Sequence, residues 1–128
     1  MVALMREATL THRKVVKWLN GVSLFAMFRD AMDSRESEEK LVKRLSAPHV
    51  LVLSDPQPAM GVLTPYQSQV LFQVVDERYR NCSPTWVTMN AANGAEAESK
   101  ISTATVDRMR DGALALFCNW PSYRKAIS

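Results

Sequence analysis

The chain has 128 residues, 47% of them hydrophobic, enough for one domain with a core of its own. Sixteen Lys and Arg against thirteen Asp and Glu leave a formal charge of +3, and the basic residues are spread along the chain, which does not mark a nucleic-acid binder. No apolar stretch approaches the roughly 18 residues of a membrane span. The opening MVALMREATLTHRK lacks an apolar core followed by a small-residue cleavage site, and no element is defined over residues 1–14. Cys82 and Cys118 form neither a CxxC motif nor a disulfide framework. A cytoplasmic protein with reduced, buried or idle thiols is expected.

The first predicted element is a short strand over Val15 to Leu19, rich in β-branched and aromatic residues. Asn20 is placed to cap a helix whose inward stripe is Leu24, Phe25, Phe28 and Met32. After the polar break DSRES, Glu38 to Leu45 reads as a charged helix with an apolar edge of Leu41, Val42 and Leu45, stopped by Pro48. Val50 to Leu53 has no polar alternation, as in a strand covered on both faces of a parallel sheet. Pro56, Pro58 and Gly61 make a loop. Thr64, Pro65 and Gln67 then give the clearest helix start in the chain, opening a helix that runs to about Arg80.

A strand over Thr85 to Met89 follows, and Ala95 to Asp111 has helical composition with Gly112 placed to end it. Ala113 to Phe117 reads as a last strand and Ser122 to Ala126 as a terminal turn or helix. The order β-α-α-β-α-β-α-β predicts an α/β domain with a mostly parallel sheet and crossover helices.

In open parallel sheets ligands bind beyond the carboxyl ends of the strands, which directs attention to the polar residues found there. Asp55 lies one residue past the strand end at Ser54. A carboxylate there can hold Mg²⁺ through water or orient an attacking water, or it can simply cap a loop. Asn90 ends the next strand, where its amide can bond a phosphate or a water, or serve a turn. Arg108 sits late in a helix; a guanidinium there can stabilise a phosphoryl transition state or offset the helix dipole. Trp120 and Tyr123 are expected to pack on the core rather than to stack a base. His12 and His49 have no ligand-spaced partners, and neither GxxxxGK[ST] nor GxGxxG occurs.

The succession VLVLSDPQP, LTPYQSQVLFQVVDERYRN, PTWVTMN, VDRMRDGALAL and NWPSYR resembles the C-terminal half of the AAA+ ATPase domain of DnaC/IstB-type proteins, the bacterial helicase loaders and transposition-accessory ATPases. The similarity runs from about Val15 to Arg124 and rests on the order and spacing of the segments. It implies a partial three-layer, P-loop NTPase-like domain over residues 1–128, with ATP and Mg²⁺ as ligands. Ser54 and Asp55 then take the acidic-pair position after the strand, where both would meet Mg²⁺ and nucleotide. Asn90 takes the sensor position, Arg108 that of an arginine reaching a neighbour's nucleotide, and Tyr123 and Arg124 a closing aromatic–arginine pair. The implied partners are a helicase or transposase, DNA, and a second copy or an intact AAA+ protein, with no membrane.

Two departures from the family pattern set further expectations. Ser54 stands where the family usually has a first acid, and a hydroxyl lacks the charge that makes a strong Mg²⁺ partner. The sequence also begins after the family's first strand, phosphate loop and first core helix. Weak or absent ATP binding and no activity are therefore expected of this chain alone, as in a truncated or mis-started member. The missing strand would leave Ala113 to Phe117 without its neighbour, so marginal stability or oligomerisation is expected. The alternative is a non-catalytic α/β interaction module.

Overall fold

A computed structural model describes residues 1–121. The elements run α1 (Val2–Leu10), β1 (Val16–Asn20), α2 (Gly21–Asp33), α3 (Glu38–Ser46), β2 (Val50–Ser54), α4 (Pro65–Arg80), β3 (Thr85–Thr88), α5 (Gly94–Ile101) and α6 (Thr103–Arg110). The strands form one parallel sheet in the order β1-β2-β3. Each strand therefore returns through a helical crossover, as the alternating sequence pattern requires.

Central β2 is the most buried strand, its four apolar residues all inaccessible. Leu51 and Leu53 face a core built with Leu24, Phe28, Leu41, Leu45, Val70, Leu71 and Val74 from the helices. Val50 and Val52 point the other way by strand alternation. In register, Trp18, Val52 and Trp86 lie side by side across that face, and Val52 is fully covered.

The predicted caps form. The Asn20 side chain accepts from Ser23 N at 2.7 Å, and Thr64 and Gln67 make a reciprocal capping box at the start of α4. At the other end of the sheet, Arg78 is fully buried. Its guanidinium donates to the carbonyls of Leu45, Ser46, Pro48, His49 and Pro84 and to Thr85 Oγ1. It thereby gathers the end of α3 and the starts of β2 and β3, satisfying carbonyls that the helix end leaves open. Burial lowers its pKa from the usual arginine value.

Several sequence expectations are corrected. Residues 1–14 include a helix, α1, of which only Ala8 is buried. The first strand is shifted by one residue, and on α2 Ala31 rather than Met32 faces the core. The single helix expected over Ala95 to Asp111 is two, broken at Ser102, which takes a left-handed φ of 91° and caps α6 by accepting from Thr105 N. Ala113 to Phe117 is not a strand: it runs beside no strand, and Leu114, Leu116 and Phe117 are exposed. A local apolar run reports β propensity, but a strand exists only with a partner edge. Trp120 is exposed rather than packed on the core. Cys82 and Cys118 are free and exposed. The expected terminal turn at Ser122 to Ala126 lies outside the described residues.

Candidate functional site

Asn20, Ser54 and Thr88 stand in register at the carboxyl ends of the three strands. Asp55 follows one step beyond this row, its N–H donating to Thr88 O at 2.9 Å. It adopts a left-handed φ of 48°, a conformation that Asp tolerates better than most residues. A short hydroxyl relay orients its carboxylate. Thr88 Oγ1 donates to Ser54 Oγ and Ser54 Oγ donates to Asp55 Oδ2, each at 3.3 Å.

Asp55 opens onto a cleft of about 630 Å³, a size that takes a small molecule. The first turn of α2, the loop after Asp55, Asn90 and Lys100 line it, over an apolar floor that includes Phe25 and Leu63. Asp55 and Asn90, far apart in sequence, thus share one cleft. Ser54 is not among its lining residues; its hydroxyl is used between Thr88 and Asp55. The Asn90 side chain is exposed and makes no hydrogen bond with the described residues, while its carbonyl accepts from Lys100 Nζ at 2.9 Å. Lys100 also pairs with Glu96 at 2.6 Å. That hydrogen bond, with a second from Ala92 N, holds the Glu96 carboxyl below its ordinary range.

Arg108 is not in this cleft. It lies on the α4–α6 face, where its Nε donates to Asp76 Oδ1 at 2.9 Å and its guanidinium stacks 4.8 Å from the Tyr79 ring centroid. The bond to Asp76 raises its pKa further. Asp76, 5% exposed, also binds Arg80, and the Tyr79 hydroxyl donates to Asp111. Within one copy, Arg108 therefore serves a different surface from Asp55. Tyr123 and Arg124 lie outside the described residues.

Among the described residues no group of three or more His, Cys, Asp or Glu could hold a metal. Mg²⁺ needs six oxygens in near-octahedral array, and Asp55 supplies the cleft's one carboxylate. The donor set fits Mg²⁺ arriving with a phosphate and completed by water, not a resident ion. Thr88 and Lys100 escaped the sequence reading. Thr88 is an ordinary strand residue, and Lys100 shows only as the second half of a Glu–Lys pair spaced i, i+4.

No family model matches the sequence, and no curated protein matches it at a significant level. Among solved structures, the crystal structure of the DnaC helicase loader aligns with a TM-score of 0.75, at 20% identity, over 86% of this chain and 64% of that one. The fold of this chain is similar to part of that structure. The expected α/β class with a parallel sheet is borne out, and this chain spans 64% of that neighbour's length. Identity this low establishes the fold and nothing of the chemistry. No helix among the described residues is long and apolar enough to cross a membrane.

Proposed function

We propose that the chain carries the acid and sensor side of a nucleotide site in a DnaC-like ATPase, one that loads or regulates a helicase or transposase on DNA. The observation that supports this best is the meeting of Asp55 and Asn90 in one cleft beyond the strand ends. Asp55 would hold a Mg²⁺–phosphate unit through water or orient an attacking water, and Asn90 would bond a terminal phosphate oxygen or that water. Ser54 would contribute only through Asp55, to whose carboxylate its hydroxyl donates. Arg108, outside the cleft, would act on the nucleotide of a neighbouring copy after leaving Asp76. DNA and a helicase or transposase are the proposed partners.

Titration with a fluorescent ATP analogue, with and without Mg²⁺, tests this reading. Weak binding that needs Mg²⁺ and loses that dependence in Asp55→Asn is expected. Binding indifferent to both Mg²⁺ and Asp55 would remove the basis of the proposal.

The second reading is a non-catalytic interaction module. The engagement of the Ser54 hydroxyl between Thr88 and Asp55 favours it. Micromolar, Mg²⁺-dependent ATP binding by this chain excludes that alternative.

A further inference from the structure

Three ionisable side chains line the cleft: Arg29, Asp55 and Lys100. Glu96, outside the lining, pairs with Lys100 at 2.6 Å, so Arg29 carries the cleft's one positive charge without an ion-pair partner among the described residues. Gly21, Phe25 and Arg29 follow one another at i, i+4 and i+8, so a single face of α2 supplies one wall. Arg29 is exposed and takes no hydrogen bond or ion pair among the described residues. Lys100 is instead fixed in place, its ammonium held by Glu96 and by the Asn90 carbonyl.

The start of α2 adds the positive end of a 13-residue helix to the same wall, which favours an anion further. A ligand that answers these groups carries several negative charges and an apolar surface to lie on Phe25 and Leu63. A nucleoside polyphosphate has both.

We propose that Arg29 and Lys100 form a phosphate-binding subsite, so that this chain grips the phosphates of its ligand with side chains where it has no glycine-rich phosphate loop. The subsite rests on the nucleotide reading above and names the residues that provide its electrostatic attraction. Arg29 offers a planar fork to two phosphate oxygens, and Lys100, in the same lining, supplies a point charge. Asp55 lines the cleft with them, and a divalent cation bound there would offset the repulsion between carboxylate and phosphate.

The test is calorimetric titration of the full chain, in Mg²⁺, with sodium tripolyphosphate, ATP and adenosine. The variants are Arg29→Ala, Arg29→Lys and Lys100→Gln, which keeps a donor for the Asn90 carbonyl. Lys40→Ala, an exposed cation outside the cleft, is the control, and circular dichroism melts verify folding. Tripolyphosphate and ATP should compete, Arg29→Ala and Lys100→Gln should each weaken both by about tenfold, and Arg29→Lys should recover part of the loss. Lys40→Ala should change nothing.

Tripolyphosphate binding that needs Arg29 and Lys100, without any binding of ATP, upholds the subsite and removes the nucleotide reading. ATP binding untouched by the variants overturns the subsite and leaves the nucleotide reading standing. No binding of either compound at millimolar concentration overturns both.

Discussion

Gly21 packs against the backbone of Asp55 so closely that a Cβ on it would stand 2.8 Å from the Asp55 carbonyl oxygen and 3.0 Å from Pro56 Cα. Both neighbours are main-chain atoms, so neither can swing aside as a side chain would. The first residue of α2 thus sets where the chain turns after β2, and with it the position of the Asp55 carboxylate. Gly21→Ala should destabilise the fold by about 1–3 kcal/mol. It should also displace the Asp55 carboxylate resonance in NMR spectra, and a wild-type melt with an unchanged Asp55 signal would show that the contact relaxes freely.

Among the described residues Arg78 has no carboxylate partner; its positive charge is met by five carbonyls and the Thr85 hydroxyl. Arg78→Ala would remove the guanidinium donor from all of these acceptors, of which the Pro84 carbonyl keeps the Leu51 N–H. The expected loss is about 3–5 kcal/mol, read from urea unfolding midpoints. Arg78→Lys should recover little, because an ammonium cannot span from α3 to Pro84 as the planar fork does. Near-complete recovery by lysine would mean that charge, not geometry, holds this end of the sheet.

Asp76 joins Arg108 and Arg80 on the α4–α6 face while remaining almost wholly buried. Asp76→Asn keeps the shape and removes the charge, and should cost about 1–3 kcal/mol. The Arg108 side chain should gain motion on release, visible as narrower and faster-exchanging Nε–H signals. Arg108→Ala should cost less than Asp76→Asn, since it leaves Arg80 paired with the carboxylate.

Glu96 joins the start of α5 to Lys100, and its pKa is held down by the hydrogen bonds from Lys100 and from Ala92 N. A depressed acid stabilises the fold above its unfolded value and loses that contribution as pH falls through the lower folded value. The Ala92 amide should therefore stay protected from exchange through the ordinary glutamate range of about pH 4–4.5 and lose protection only below it. Glu96→Gln should abolish that step and leave exchange in the core of α4 unchanged.

β3 pairs with β2 on one side, and no strand among the described residues occupies its other edge. After α6 in the chain, Leu114, Leu116 and Phe117 are exposed. An open edge with free apolar residues favours association between copies. Sedimentation over a dilution series should show a mass that rises with concentration, and Leu116→Lys with Phe117→Ser should suppress the rise. A monomer at every concentration, unfolding in one sharp, concentration-independent transition, would contradict this.

The amino-acid sequence by itself determined the local features of this protein. The Thr64–Gln67 box, the Asn20 cap, the unbroken VLVL strand and Pro48 act over a few residues, so their consequences are written in neighbouring positions. The parallel α/β class and the placement of Asp55 and Asn90 at strand ends follow from the same local periodicities. Only the tertiary structure decided what depends on distant partners. Ala113 to Phe117 has strand composition but no partner edge and forms no strand. Ser102 breaks a stretch of helical composition where Ile101 enters the core. Arg108 joins Asp76 rather than Asp55, and Arg29 and Lys100 line one cleft from helices more than sixty residues apart. The physical reason is that a side chain's partners are set by packing between elements, and sequence spacing carries that information only within a single element.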